Sequence, residues 1–379
     1  MMGQSFDTKS VHVSMRREDG FPTKVTPIHQ TSAFTFKDLE DIESFYEGDR
    51  PYLYTRVGNP NTDELGQAVA SLEGAEDGIA TSSGLSAIMV GILAAVEPGQ
   101  HILASRDIYG GTLELLTKEL TNFGIEVSLV DFEQDIEKHM KDNTVLLYSE
   151  TITNPLLRVE NLDRLIRIAK KHQLITMVDN TFATPYLIQP YKKGVDLVVH
   201  SATKYLGGHS DITAGVLTGH ASMIEKARTK CVNLGANLSP FEAWLTVRGI
   251  KTLAVRMERH VKNAAQLAEE LKNHQAISKV YYPSFVSDKG NGAIVTIELS
   301  DKADMNQFFK QLDWVKIVAT LAGVETSVSY PAGTSHRNID KSKREKLGVT
   351  DKVVRISVGI EDGHDIVTAF QHALEQSIK

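Results

Sequence analysis

A lysine in unusual company is the first chemical feature of this chain. Lys204 sits in His200-Ser201-Ala202-Thr203-Lys204-Tyr205-Leu206-Gly207-Gly208, directly after an apolar stretch that reads as a buried strand. Burial disfavours the ammonium form, so an amine placed there sheds its proton readily and can attack an aldehyde. A solvated lysine at a strand exit is the ordinary alternative, and this segment by itself leaves the two even. Ser82-Ser83-Gly84-Leu85-Ser86-Ala87 opens a helix, whose free amides and positive dipole end suit an anion. Capping by a serine explains the same residues. Once Ser201 and Thr203 add hydroxyls, a phosphate cradle becomes credible.

Other polar residues follow apolar runs in the same way. Val178-Asp179-Asn180-Thr181 ends one, placing a carboxylate at the edge where α/β sheets bind ligands. A buried Asp needs a partner; a protonated ring nitrogen is one, and a simple cap for the next turn is the other reading. Tyr109, before Gly110 and Gly111, can lay its ring on a planar cofactor, or it is a packed turn aromatic. Glu150-Thr151-Ile152-Thr153-Asn154-Pro155 offers the Asn154 amide to a phenolic oxygen, or is turn chemistry. Tyr54 and Arg56 pair a phenol with a guanidinium suited to phosphate, although a solvated arginine would be unremarkable. Arg355, in a strand-like run, is a candidate clamp for a substrate carboxylate or else a surface ion pair.

The elements that must carry these groups alternate. Helical spacing covers 62–72, 84–95, 112–123 and 162–172, and short apolar runs at 101–104, 127–130, 144–148, 174–179 and 195–200 read as strands. Apolar runs buried between helices predict a largely parallel α/β sheet. Residues 1–60 read as an irregular arm broken by Pro22, Pro27, Pro51 and Pro60, with aromatics that need a docking surface, plausibly another subunit. Residues 61–245 form the expected large domain. From 246 to 379 a long helix and more amphipathic strands, at 293–299 and 353–358, predict a smaller α+β domain with helices at 303–312 and 365–376.

Composition narrows the class. The chain has 379 residues, 41% hydrophobic and 23% charged, more than one core comfortably supports. A net charge of -7 gives no reason to expect nucleic acid or an anionic membrane as partner. One cysteine, Cys231, excludes an internal disulfide framework and, together with the lack of a signal-like or membrane-length run, makes a cytoplasmic enzyme the expectation.

Read together, the blocks YTRVGNP, SSGLSA, DIYGGT, Glu150–Pro155, VDNTFATP, HSATKYLGGHSD, VRGIKTL and VRISVGIED resemble the Cys/Met-metabolism family of pyridoxal-phosphate enzymes, the transsulfuration group of fold type I. The resemblance implies an α/β fold with a mainly parallel, seven-stranded-type sheet and a smaller C-terminal domain, and pyridoxal 5'-phosphate as cofactor. It implies that Lys204 is the Schiff-base lysine and a proton shuttle, that Asp179 pairs with the pyridinium, and that Tyr109 stacks on the ring and assists proton transfer at the leaving group. It assigns Ser83, Gly84, Leu85, Thr181, Ser201 and Thr203 to the cofactor, and Tyr54 and Arg56 to the phosphate of a neighbouring subunit, within a homotetramer. Asn154, Thr320 and Arg355 would hold the substrate.

Substrate choice rests on departures from the family pattern. Cystathionine-using members carry a Glu-Ser pair where this chain has Ala319-Thr320, so a methyl group replaces the carboxylate that would attract the distal ammonium. Glu114 stands where cystathionine γ-lyases commonly have Arg, Gly111 where methionine γ-lyases carry Cys, and the stretch between Tyr282 and Ala293 is short. The expectation is a carbon–sulfur lyase acting by α,γ-elimination on methionine or homocysteine to give 2-oxobutyrate, ammonia and a thiol. The alternatives are cystathionine γ-lyase, cystathionine γ-synthase or an O-acylhomoserine sulfhydrylase. A catalytically idle regulator on the same fold is the rival from another class, and intact Lys204, Asp179 and Tyr109 argue against it.

Overall fold

The computed structural model describes residues 4–14 and 23–379; Pro22, one of the helix-breaking prolines, lies outside the described residues. Seven strands form the first sheet: β1 (Asp77–Thr81), β2 (His101–Ser105), β3 (Glu126–Val130), β4 (Thr144–Glu150), β5 (Ile175–Asp179), β6 (Leu197–His200) and β7 (Gly215–Gly219). Their order is β1-β7-β6-β5-β4-β2-β3, and β7 alone runs against its neighbours. The strands β2 to β6 are those the apolar runs predict, with ends shifted by up to two residues. Their alternate residues feed opposite faces. Met177, Leu197 and Val199 pack with Ile88 and Ile92 of the Gly84–Ala95 helix, whereas Val178 and Val198 pack with Leu165 and Ile166 of the Leu162–His172 helix. Both faces of β5 and β6 are therefore dry, which is why they read as unbroken apolar runs, whereas β3, at the sheet edge, is exposed at Glu126 and Leu129.

The strands β1 and β7 gave no such signal, because DGIAT and GVLTG are short and glycine-containing. Gly66 of the Pro60–Glu73 helix meets Gly78 of β1 backbone to backbone, and a Cβ on Gly78 would lie 2.5 Å from the Gly66 carbonyl oxygen. Only glycine permits that approach. The helix expected at 112–123 begins earlier, at Gly110, and runs to Asn122 with one π-helical turn at Leu115–Glu119.

The second sheet comprises β8 (Ile277–Tyr281), β9 (Ile294–Leu299), β10 (Lys316–Ile317), β11 (Ser327–Ser329) and β12 (Val353–Ser357), ordered β10-β11-β12-β9-β8 and mostly antiparallel. The single long helix expected near 241 is two, Pro240–Ile250 and Leu253–Leu271. The latter and the Gly363–Gln376 helix cover this sheet through Leu267, Leu271, Ile366 and Phe370. The arm holds only the short helices Phe6–Val11 and Leu39–Tyr46 among its described residues, and Leu39 and Tyr46 remain 78% and 70% exposed.

One buried cation fixes the turn after β6. Arg256 donates to the carbonyls of Tyr205 and Gly249, each at 2.8 Å, and to Thr252 Oγ1 at 3.0 Å. Burial lowers its pKa to about 10. The guanidinium lies against Gly208, whose φ of +75° and lack of a Cβ leave the room it needs. Arg256 thus ties the segment that carries Lys204 to the C-terminal end of the Pro240–Ile250 helix. Arg256→Met strips the donors from these carbonyls and is expected to cost about 3 kcal/mol. Urea unfolding measures this, and a loss below about 1 kcal/mol would show that other contacts hold the turn.

Candidate active site

The carboxyl ends of β1, β2, β4, β5 and β6 converge on a cavity of about 220 Å³, closed from the other side by residues near β11 and β12. Ser83, Gly84 and Leu85 line it from the end of β1, Tyr109 from the end of β2, and Asn154 from the end of β4. Asp179 and Thr181 enter from β5, and Ser201, Thr203 and Lys204 from β6. Thr320 and Arg355 complete it from the second sheet. Of the fourteen site residues expected from sequence, the structure brings these twelve together. Tyr54 and Arg56 lie elsewhere on this chain. Arg56 donates to the Val232 carbonyl at 3.3 Å and stacks 5.6 Å from the Tyr54 ring centre, in a separate recess beside Cys231.

Lys204 is held at the cavity floor. Its Nζ donates to Thr320 Oγ1 at 2.8 Å. Burial, with a smaller contribution from the charge of Arg355, lowers its pKa to about 8. The solvated alternative for this lysine is thereby excluded. Arg355 is likewise no surface ion pair: it is buried, and its Nη1 donates to Asn154 Oδ1 at 2.9 Å while Nη2 reaches the Thr320 carbonyl at 3.4 Å. Its Nε has no partner among the described residues. Burial lowers the guanidinium pKa to about 10. A buried donor left open beside the cavity suits a carboxylate, which accepts from a guanidinium in two places. The Asn154–Pro155 peptide bond is cis.

Two carboxylates face the floor. Glu150 and Asp179 are register neighbours on β4 and β5. Desolvation raises both pKa values, and the charge of Asp179 pushes Glu150 further up. Glu150 accepts from the Tyr109 amide at 2.7 Å, which fixes the turn that presents the Tyr109 ring, and Asp179 accepts from the Thr181 amide at 2.9 Å. The carboxylate of Asp179 would gain from a cation in the cavity, and a protonated pyridine nitrogen is such a cation.

The phosphate cradle and the helix cap turn out to be the same residues. Ser83 caps the Gly84–Ala95 helix through Ser86 N at 3.1 Å, yet Gly84 and Leu85 still line the cavity. A Cβ on Gly84 would come within 2.7 Å of Ser201 Cβ, so glycine lets the helix start approach the Ser201 turn. Thr203 spends its hydroxyl on Ala214, accepting from its amide and donating to its carbonyl. The helix-start amides, the Ser201 turn, a poised amine and the Asp179 carboxylate thus fit pyridoxal 5'-phosphate, while the Thr203 hydroxyl is already engaged with Ala214.

Sequence reasoning missed part of the wall. Glu150 drew notice only as a strand end, and Ile88, Ile152, Phe182, Leu321 and Ser335 were not singled out. Ser335 belongs to an irregular segment with no periodicity to betray it, although its carbonyl packs against Gly110, the residue after Tyr109. Glu114 pairs with Lys118 on the helix surface and does not line the cavity. Ala319 does line it. Gly111 lies directly under the Tyr109 ring, where a Cβ would come within 2.6 Å of Cε1.

The model of the family described as "Cys/Met metabolism PLP-dependent enzyme" matches residues 7–375. The chain belongs to that family. It is 40% identical to a cystathionine β-lyase of Lactococcus lactis subsp. cremoris, over 98% of this chain and 99% of the relative. It is 36% identical to an L-methionine γ-lyase of Porphyromonas gingivalis, over 100% and 99%. Among solved structures, an O-acetylhomoserine (thiol)-lyase of Campylobacter jejuni superposes with a TM-score of 0.91 at 28% identity, covering 98% of this chain and 100% of that one. That structure contains N'-pyridoxyl-lysine-5'-monophosphate. The fold is the type I fold of pyridoxal-phosphate enzymes, the cofactor is pyridoxal 5'-phosphate, and the family performs carbon–sulfur lyase chemistry. No helix among the described residues is long and apolar enough to cross a membrane.

Two outcomes follow for Lys204. Lys204→Ala is expected to remove the visible Schiff-base absorbance of the cofactor-loaded protein, and a retained band would refute the assignment. In cofactor-stripped protein the amine is protonated below its pKa and free above it. The rate of cofactor capture should therefore climb through pH about 8, well below the ordinary lysine value of 10.5. Stopped-flow uptake across that range gives the midpoint.

Proposed function

We propose that the protein cleaves the γ-carbon–sulfur bond of methionine or homocysteine by α,γ-elimination, releasing a thiol, 2-oxobutyrate and ammonia. Ala319 carries this reading. It presents a methyl group to the cavity, and the carboxylates that line the cavity, Glu150 and Asp179, stand where the cofactor ring is expected. The nearby Glu325 is bound to Lys316 at 2.6 Å. Nothing on that wall would reward the distal ammonium of cystathionine, whereas a short thioether loses little by meeting a methyl group.

The residues divide the work. Arg355 and Asn154 bind the substrate carboxylate and so orient the Cα–H bond. Lys204, neutral above about pH 8, takes the proton from Cα, and Thr320 Oγ1 steadies its Nζ. Asp179 keeps the ring nitrogen protonated. Pyridoxal phosphate, when bound, supplies the aldehyde that captures the substrate amine and the ring that withdraws the electron pair left at Cα. Lys204 then works at Cβ, and the Tyr109 hydroxyl gives its proton to the leaving sulfur. Gly111 leaves room for the Tyr109 ring as it sits, since a Cβ there would come within 2.6 Å of Cε1 and the ring would have to shift.

The identity to the Lactococcus cystathionine β-lyase favours cystathionine as a second reading. Steady-state turnover of methionine, homocysteine, cystathionine and O-acetylhomoserine plus thiol, measured side by side, separates the two. Faster turnover of cystathionine than of both single amino acids would overturn the first. Ala319→Glu is expected to move the ratio of kcat/KM values toward cystathionine by about tenfold, or ~1.4 kcal/mol. An unchanged ratio would remove Ala319 from the argument.

We also infer that Tyr54 and Arg56 serve the phosphate of a neighbouring subunit in a homotetramer. Their distance from this chain's own cavity and the exposed apolar residues of the arm support this. Arg56→Ala should weaken cofactor retention on dialysis while the oligomer, sized by light scattering, stays intact. Undiminished retention would count against the shared site.

A further inference from the structure

Behind the wall that carries Asn154 lies a second cavity of about 380 Å³, lined by Arg106, Asp107, Arg158 and His336, with Asn154 common to both. Arg158 lines this second cavity and not the first, so it meets no reacting group. Its side chain is nevertheless only 18% exposed, and each nitrogen of the guanidinium is engaged. Nε donates to Asp107 Oδ2 at 2.7 Å and Nη2 to Asp107 Oδ1 at 2.8 Å, the two-pronged pairing that suits a carboxylate. Nη2 also reaches Ser105 Oγ at 3.1 Å, and Nη1 reaches Glu160 Oε2 at 3.4 Å. Ser105 Oγ donates to Asp107 Oδ1 at 2.5 Å, and Ser149 Oγ to Glu160 Oε2 at 2.6 Å. Ser105 ends β2 and Ser149 lies one residue from the end of β4, so the network spans the two adjacent strands that deliver Tyr109 and Asn154.

We propose that Arg158 is a positioning residue that fixes Tyr109 and Asn154 relative to each other from outside the active-site cavity. The proposal rests on the roles given to those two residues above. Asp107 lies two residues before Tyr109, and Arg158 lies four residues after Asn154. Residues 151–160 double back on themselves. Ile152 bridges Val159, Thr153 N donates to the Arg158 carbonyl at 2.9 Å, and Arg158 N donates to Thr153 Oγ1 at 3.1 Å. Asn154 stands at the tip of this hairpin, where its Oδ1 accepts from Arg355. One ion pair therefore ties the hairpin that bears half of the carboxylate clamp to the turn that presents the aromatic ring.

Tyr109 offers little else to hold. Its side is 41% exposed to solvent, and the Gly110–Glu114 helix that follows has no side-chain cap. From the cavity side Glu150 grips only the Tyr109 amide. The ion pair is also durable. Burial opposes the charge on Asp107, yet Arg158 and the Ser105 hydroxyl hold its carboxyl below the ordinary carboxylate value. Burial likewise opposes the charge on Arg158, and Asp107 and Glu160 outweigh it and raise the guanidinium pKa. A lysine in this place would keep the charge but lose the planar fork that grips both Asp107 oxygens at once.

Two mild variants of the cofactor-loaded protein test both ends, each checked for folding by its melting temperature. Asp107→Asn loosens the Tyr109 end. With whichever of the four sulfur substrates is turned over fastest, it is expected to lower kcat by about tenfold, a fraction of what a positioned proton transfer contributes, and to leave KM within about twofold. Arg158→Lys loosens both ends. It should lower kcat as much and also slow the capture of aminooxyacetate, followed by cofactor absorbance, by about fivefold. Methoxyamine, which has the same aminooxy group and no carboxylate, should react as with the wild type. In a Tyr109→Phe background Asp107→Asn should lower kcat no further, as for a residue that acts through the ring hydroxyl. Unchanged kcat in both variants would overturn the proposal. So would equal slowing with the two aminooxy compounds, which would reduce Arg158 to general support of the fold. A response at one end only would show that Arg158 does not fix one group relative to the other, and the proposal would fail. If Tyr109→Phe by itself leaves kcat unchanged, the acid role of Tyr109 is what fails, and the contrast between the aminooxy compounds still decides the Asn154 end.

Discussion

Taking ionic groups out of water without giving them full partners is the constraint on which this molecule turns. Lys204, Arg355, Asp179 and Glu150 share one cavity, and each pays for desolvation in its proton affinity: the two cations are lowered and the two carboxylates raised. A fold can hold such a set only if the backbone is rigid on every side. The type I sheet provides this, because β4, β5 and β6 are buried on both faces and end side by side. Beneath them Glu73 accepts from His200 Nε2 at 2.8 Å and from Asn180 Nδ2 at 2.9 Å. Asn180 in turn accepts from Thr151 Oγ1 at 2.8 Å. This buried network clamps the residues next to Asp179 and Ser201 to the end of the Pro60–Glu73 helix. The stress of the site is borne by contacts that take no part in chemistry.

Much of this was legible before any coordinates. The apolar runs of β2, β4, β5 and β6 are long enough and dry enough to read directly, and each leads into a group that lines the cavity. Where the signal failed, packing explains the failure. The strands β1 and β7 are built on close backbone approach rather than on apolar side chains, so Gly78 and Gly215 hide them. Ser335 and His336 lie in a segment whose shape comes from tertiary contacts, and no local spacing marks it.

The second sheet contributes fewer groups to the cavity, yet it places Arg355 and, beside it, Thr320 there. Arg355 lies on β12 between β11 and β9, with Ser329 and Thr296 as its register partners. Its guanidinium reaches across to Asn154 on the first sheet's side. That hydrogen bond joins the two sheets through a residue that also touches the second cavity.

Thr320 ties the Lys204 amine to the Arg355 guanidinium. It holds Lys204 Nζ through its hydroxyl and Arg355 through its carbonyl, so its backbone must be fixed in two directions. Two residues on, Ala322 adopts a φ of +71°, a conformation that costs a non-glycine residue about 1 kcal/mol. The Ala322 amide donates to Ser357 Oγ at 2.7 Å, and Ser357 lies two residues from Arg355 on β12. The strained turn is thus anchored to the strand that carries Arg355. A shift of Thr320 would move the Lys204 amine and the Arg355 guanidinium together. In the proposed reaction Ala319 would change what the wall attracts, while Thr320 would keep the amine in place whatever the substrate.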